Sequence, residues 1–403
     1  MGCGCVVSRP DLTSRPVPRT FLQRYTDSEF LRTLPPAELK DKERLLVYYR
    51  LQREGHFEDG QGLRRLVRSR GVPARYRWQV WRTITGWSSI YKPGAYERIL
   101  QRGCDPPVAV MIQKDLDRTF PNDEAFGEEQ RRLLERVLRA HAAVFPQVGY
   151  CQGLNFVAGF LLMASGYEDE DTFFMLVQVM LRYRGILLFC EGLPRLKLHM
   201  FQFGLLVQKT MPEVHRLFEK NTITPELYLA KWMLSLFTHP LPFEDAARIW
   251  DLVVCDGVDA VVPLALGGVR LLRRRLLRQS TVGLLELLSL RTDTQPPSGA
   301  SVVKAALDLK LGGSAPGKGD DECLRRLREE WAAGHAEDAA ALARADLELC
   351  SRADAAPDYA MPLPTAVARA EPDAAAAGPD GGPAAAGAPS GAQHALLAEP
   401  GDP

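Results

Sequence analysis

Arg118 and Gln152 are the residues of this chain whose types and surroundings point most sharply to chemistry. Arg118 closes the run Ile112-Gln113-Lys114-Asp115-Leu116-Asp117-Arg118 and is followed by Thr119-Phe120-Pro121. Gln152 lies in Gly149-Tyr150-Cys151-Gln152-Gly153. A guanidinium is a planar, permanently charged fork that matches phosphoryl oxygens. A primary amide donates and accepts at once, so it can hold a water and aim it. The pair supplies what phosphoryl transfer to water requires: neutralisation of charge on the transferring and leaving oxygens, and an oriented nucleophile.

Neighbours can steady both groups. Asp115 lies three residues before Arg118, on the same face of a helix, and can fix the guanidinium through a charge-assisted bond. Tyr150 offers a ring to pack and a hydroxyl to bond. Each fragment alone is ordinary. An isolated D-x-x-R is usually a surface ion pair worth little, and a lone Y-x-Q usually marks a helix start.

The elements that must position these residues are helical. Val110, Ile112 and Leu116 approach Arg118 with helical spacing, and Pro121 disfavours helix past Phe120. Arg118 is therefore expected near a helix end. Pro146 and Gly149 break a preceding helix and Leu154 opens an apolar one, so Gln152 is expected at a loop-to-helix junction. Helices are predicted at 36–54, from Leu63 onward, and at 108–118, 128–144, 154–165, 169–182, 197–210, 211–219, 225–237, 243–254 and 262–290. Strand-like alternation is scarce, so the fold class expected is all-α with short connections. Residues 1–62 read as a flexible N-terminal segment with one helix. After Arg291 the pattern changes to a Pro/Gly/Ser-rich connection over 292–319, a helix-permissive stretch over 320–352, and an Ala/Pro/Gly-rich tail expected to be disordered.

The two runs resemble the paired finger motifs of the TBC family, whose members are GTPase-activating proteins for Rab GTPases. I-x-x-D-x-x-R with Thr-Phe-Pro after it is similar to the first-finger motif, and G-Y-C-Q-G-L-N-F to the second. A third block, Arg70-Gly71-Val72-Pro73 with Arg77 to Trp81, resembles the family's opening segment. The stretches Lys231-Trp232 to Phe237 and Ala247-Arg248-Ile249-Trp250-Asp251 look like its later core blocks. The resemblance covers about residues 65–290 and implies a TBC-type helical domain over 63–290. It implies Arg118 and Gln152 as catalytic fingers acting in trans, with Asp115, Tyr150 and Asn155 in support. Arg77 is expected as a buried or half-buried ion-pair partner, or alternatively as a support beside the fingers. The implied partner is a Rab in its GTP-bound state; GTP and Mg²⁺ belong to that partner, and the chain has no cofactor of its own. The alternative is an inactive Rab-binding or membrane-tethered scaffold module.

Composition narrows the remaining classes. The 403 residues hold 50 Lys+Arg against 50 Asp+Glu, so the net charge is zero and a general nucleic-acid footprint is not expected. No G-x-x-x-x-G-K-[ST] phosphate loop occurs. The eight cysteines contain no C-x-x-C, so no metal site is expected and free thiols in a reducing cytoplasm are. No apolar run reaches the ~18 residues of a spanning helix. The tip Met1-Gly2-Cys3-Gly4-Cys5 places Gly2 for myristoylation and Cys3 and Cys5 for palmitoylation, although Val6 stands where Ser or Thr is usual. Such acylation would hold the chain on the cytosolic face of a membrane. The basic helix 270–278, with Leu271, Leu272, Leu276 and Leu277, reads first as a solvated basic stripe and second as a contact for acidic lipids.

Overall fold

The computed structural model describes residues 29–36, 38–53, 59–309 and 319–354. The acylation residues Gly2, Cys3 and Cys5 and the Ala/Pro/Gly-rich tail lie outside them. Every regular element among the described residues is helical. Two compact units divide the chain, residues 1–58 and 59–403. In the first, a short 3-10 turn (Glu38–Asp41) leads into the helix Lys42–Arg53, and Phe30 stacks on Tyr49 with ring centroids 4.0 Å apart.

The second unit is a helical assembly around Leu154–Ser165 and Asp169–Leu181. These helices are apolar on nearly all sides because others cover them: Glu128–Val144 packs against both, and Ala74–Thr85 also touches both. A helix hydrophobic all round belongs inside a protein. The core contains a triangle of rings. Trp81, Phe160 and Trp250 lie with centroids 6.0 Å (Trp81–Phe160), 6.0 Å (Trp81–Trp250) and 5.3 Å (Phe160–Trp250) apart. It joins the helices Ala74–Thr85, Leu154–Ser165 and Phe243–Asp256.

Asp251 ties this triangle to the Gly71–Pro73 connection. Its Oδ1 accepts from Trp81 Nε1 at 3.0 Å and its Oδ2 from the Val72 amide at 2.9 Å. Burial pushes its carboxyl up to about 6 against the pull of Arg77. Asp251 lies within a helix and anchors the loop through its side chain.

Several boundaries depart from the sequence pattern. The single helix expected over 262–290 is two, Val261–Leu276 and Thr281–Leu288, because Ser280 caps the second by accepting from the Gly283 amide. The helix expected over 225–237 is a 3-10 turn, Pro225–Leu227, followed by Leu229–Leu234. Leu236 and Phe237 take φ of 46° and 65°, which end it. The connection read over 292–319 contains the helix Gly299–Leu307. That helix packs closely on Val261–Leu276 at Gly267, where a Cβ would come within 2.9 Å of the Ala306 amide nitrogen. The stretch 320–352 forms a hairpin of Gly319–Gly334 and Ala336–Asp354, docked on the helix Pro194–Thr210, where Gln202 donates to the Leu324 carbonyl and Lys197 pairs with Asp338.

Candidate functional site

The helix Pro106–Leu116 begins with Pro at its first positions and ends two residues before Arg118. Thr119 turns the chain and Phe120 takes φ 48° just ahead of Pro121. A left-handed aromatic residue costs about 1 kcal/mol or more. Ring packing offsets this: Phe120 meets Phe126 at 5.5 Å and Phe156 at 5.6 Å, both edge-on. The Phe-Pro after Arg118 thus locks the turn that presents the arginine. The Arg118 side chain is 44% exposed, while Asp115, which binds it at 2.5 Å, is 3% exposed.

Asp115 is the hinge-pin of the site. Its Oδ1 binds Arg118, and its Oδ2 accepts a hydrogen bond from the Tyr150 hydroxyl at 2.5 Å. Burial, reinforced by the Asp115 charge, pushes the Tyr150 phenol well above its ordinary value. Tyr150 therefore stays protonated and donates. Arg118 is held at a carboxylate that is itself held from the other loop.

A second staple runs alongside. The Thr119 hydroxyl donates to the Asp115 carbonyl at 2.6 Å and accepts from Asn155 Nδ2 at 2.8 Å. Asn155 Oδ1 in turn accepts from the Gly153 amide at 3.1 Å. All are buried, where an unpaired polar group costs about 1–3 kcal/mol. The turn that follows Arg118 and the turn that follows Gln152 are thereby one hydrogen-bonded unit.

Gln152 sits in the turn before Leu154–Ser165, and Gly153 caps that helix at φ 111°. A Cβ on Gly153 would come within 2.8 Å of the Leu234 carbonyl oxygen, so only glycine fits. Gln152 is 4% exposed. Among the described residues its side-chain amide makes no hydrogen bond, with Arg118 or with any other group. Cys151 beside it is buried, and burial first of all pushes its thiol up to about 12, so it remains neutral. His141, fully buried in the helix leading to this loop, is pushed down to about 4 by burial, against a hydrogen bond to the Gly149 backbone. Among the described residues its Nε2 has no hydrogen-bond partner.

Arg77 lies with Asp251. Its Nη2 donates to the Val72 carbonyl at 3.1 Å, and it pairs with Glu244 at 3.1 Å and more loosely with Asp251 at 3.7 Å. The structure thus gathers Arg118, Asp115, Tyr150 and Asn155 into one network and places Arg77 in another, with Val72, Glu244 and Asp251. Thr119, the link between Asp115 and Asn155, is a member that sequence spacing did not mark. Among the described residues, no three His, Cys, Asp or Glu side chains are grouped to hold a metal ion. No helix among them is long and apolar enough to cross a membrane.

The family model of the Rab-GTPase-TBC domain matches residues 74–277, just over half of the chain. Growth hormone-regulated TBC protein 1 of Homo sapiens is 32% identical over 232 residues, covering 55% of this chain and 67% of that protein. Rab GTPase-activating protein eat-17 of Caenorhabditis elegans is 31% identical over 219 residues, 54% of this chain and 24% of that protein. The matched region is about a quarter of the length of several such relatives. Among solved structures, the Chlamydomonas flagellar RabGAP TBC domain superposes with a TM-score of 0.59 at 18% identity, covering 73% of this chain and 97% of that one. The Ypt/Rab-GAP domain of Gyp1p gives 0.54 at 16%, covering 64% and 96%. These two establish likeness of fold, and the family match supplies the rest: the chain belongs to the Rab-GTPase-TBC domain family.

Proposed function

We propose that this protein accelerates GTP hydrolysis by a GTP-loaded Rab-family GTPase, supplying Arg118 and Gln152 in trans. The observation that carries the reading is the double grip of Asp115 on Arg118 and Tyr150, at 2.5 Å each. It leaves the arginine exposed yet fixed at its base, as a group entering another protein's active site must be. Arg118 neutralises charge developing on the phosphoryl and leaving oxygens, an effect of about a thousandfold to a hundred-thousandfold in rate for an arginine finger. Gln152 turns outward as the GTPase docks and orients the attacking water in place of the partner's own residue. Asp115, Tyr150, Thr119 and Asn155 position the two. Arg77 acts at a distance, holding the Gly71–Pro73 loop and the Asp251 anchor. GTP and Mg²⁺ enter with the partner.

The burial of Gln152 favours a second reading, in which the chain binds a Rab without supplying the water-orienting amide. Phosphate release and equilibrium binding, measured on one panel of GTP-loaded Rabs, separate the two. Stimulated release from at least one Rab supports catalysis; tight binding throughout with unstimulated release supports the inert module. Acylation at Gly2, Cys3 and Cys5 is part of the proposal for where the chain works: the cytosolic face of a membrane. Gly2→Ala is expected to shift the chain from membrane to soluble fractions, and unchanged partitioning would remove this part.

A further inference from the structure

The exposed large apolar side chains are unevenly placed. Among the described residues they are Val110, Leu227, Leu271, Leu277, Val282, Leu285 and Leu347, and four of these seven fall between positions 271 and 285. Leu271 and Leu277 stand on the last turns of Val261–Leu276 and just beyond it. Val282 and Leu285 stand on Thr281–Leu288, across the Ser280 cap. The opposite faces are satisfied: Leu272, Leu276, Leu284 and Leu288 are buried. Among the described residues the outward leucines and valine are thus a second, unpartnered apolar strip on two consecutive helices and the turn between them.

Arginines are interleaved with this strip. Arg270, Arg274 and Arg278 are exposed, and among the described residues they form no ion pair. Arg270 and Arg274 are four residues apart on one side of the helix, and Arg278 follows in the turn just past its end. The two other arginines of the run are occupied. Arg273 pairs with Glu213, and Arg275 donates to the carbonyls of Thr294 and Gln295. Glu286 is the acidic side chain exposed on the second helix itself. A basic last turn favours the helix dipole, which accounts for some of the arginines. It does not account for Leu271, Leu277, Val282 and Leu285, which a solvated stripe would replace with polar residues.

We infer that residues 270–285 form a docking surface for an anionic lipid bilayer, with Leu271, Leu277, Val282 and Leu285 entering the headgroup boundary and Arg270, Arg274 and Arg278 facing lipid phosphates and carboxylates. Charge complementarity names the occupant: an apolar strip flanked by cations that form no ion pair among the described residues fits an interface that is apolar beneath and negative above. A surface of this kind supplies the second signal that a single acyl chain needs for stable anchoring. It acts without the N-terminal tip, and so stands or falls separately from acylation.

The test uses the full chain produced without an acyltransferase, so that no lipid is attached. Co-sedimentation is measured with phosphatidylcholine vesicles and with phosphatidylcholine vesicles enriched in phosphatidylserine, at low and raised salt. Binding to the anionic vesicles alone, weakened by salt, is expected. Arg270→Gln/Arg274→Gln/Arg278→Gln should lower the partition coefficient about a hundredfold. Leu277→Ser/Val282→Ser should lower it as well while leaving thermal unfolding unchanged, since both side chains are exposed. Absence of binding to anionic vesicles, or unaltered binding in either variant, overturns the proposal. So does a solution dimer that the same variants dissociate, which would assign the strip to a second copy. Loss of stimulated GTP hydrolysis by the arginine variant in the absence of vesicles would assign it to the GTPase and overturn the proposal too.

Discussion

The Tyr150 hydroxyl donates to Asp115 Oδ2 at 2.5 Å across 35 residues of sequence, and Asp115 Oδ1 binds Arg118 at the same distance. One buried carboxylate therefore sets the geometry of the first motif by way of the second. Among the described residues Arg118 and Gln152 share no hydrogen bond, yet neither turn can shift without breaking bonds to the other.

Tyr150→Phe removes one donor and leaves the ring packing intact. Asp115 then keeps Arg118 but loses its link to the second turn. The unfolding free energy should fall by about 1–3 kcal/mol, read from urea titrations. Stimulated hydrolysis should fall about ten- to a hundredfold through misplacement alone. Full activity with reduced stability would make the bond purely structural.

Thr119→Val keeps the shape and deletes the hydroxyl that joins the Asp115 carbonyl to Asn155. It leaves the Asn155 amide buried and unpaired, at a cost of about 1–3 kcal/mol. Thr119→Ser restores the hydroxyl and should recover the hydrolysis rate. A serine variant as impaired as the valine one would show that packing by the methyl group, and not the hydrogen bond, matters here.

His141 gives the fold a pH dependence whose sign is fixed. Burial first of all holds its pKa at about 4, below the ordinary 6.5, so the folded state prefers the neutral ring. The stability it contributes is fully present above pH 6.5 and is lost as pH falls through 4. Over that window its loss amounts to about 3 kcal/mol at most. Urea unfolding of the protein and of His141→Gln, compared at pH 7 and pH 4.5, should show a flatter dependence in the variant. Equal slopes would mean that the ring is not the group responsible.

Much of this was legible in the sequence, and the residues show where legibility ends. The i, i+3 spacing of Asp115 and Arg118 gave their pairing, since both lie on one local turn. Proline and glycine placed Arg118 near a helix end, although the helix stops at Leu116 and not at 118 as expected, and placed Gln152 before a helix start. The helices Glu128–Val144 and Leu154–Ser165 begin and end where the pattern put them. What the pattern lacked was tertiary. That Tyr150 bonds Asp115 and Asn155 bonds Thr119 depends on two helices meeting, and no local period encodes it. The break at Ser280 was missed because apolar spacing continues across it, although a serine three residues before Gly283 is a capping signal. Gly299–Leu307 was missed because Pro296, Pro297 and Ser298 read as a loop; Ser298 is its N-cap, accepting from the Ser301 amide. The burial of Gln152 was also unreadable, since it comes from the packing around the turn and not from the turn's own residues.

The central claim is catalysis by two groups lent to another protein. Its most direct measurement is single-turnover phosphate release from a GTP-loaded Rab that the unmodified chain stimulates, repeated with Arg118→Ala, Arg118→Lys and Gln152→Ala. The account predicts that Arg118→Ala loses about a thousandfold or more of the stimulation. Arg118→Lys should fail with it, because an ammonium does not reproduce the planar fork. Gln152→Ala should lose most of it, and Arg118→Ala should still unfold in one cooperative transition, at a lowered temperature because buried Asp115 loses its cation. Wild-type stimulation retained by Arg118→Ala or by Gln152→Ala would contradict the account.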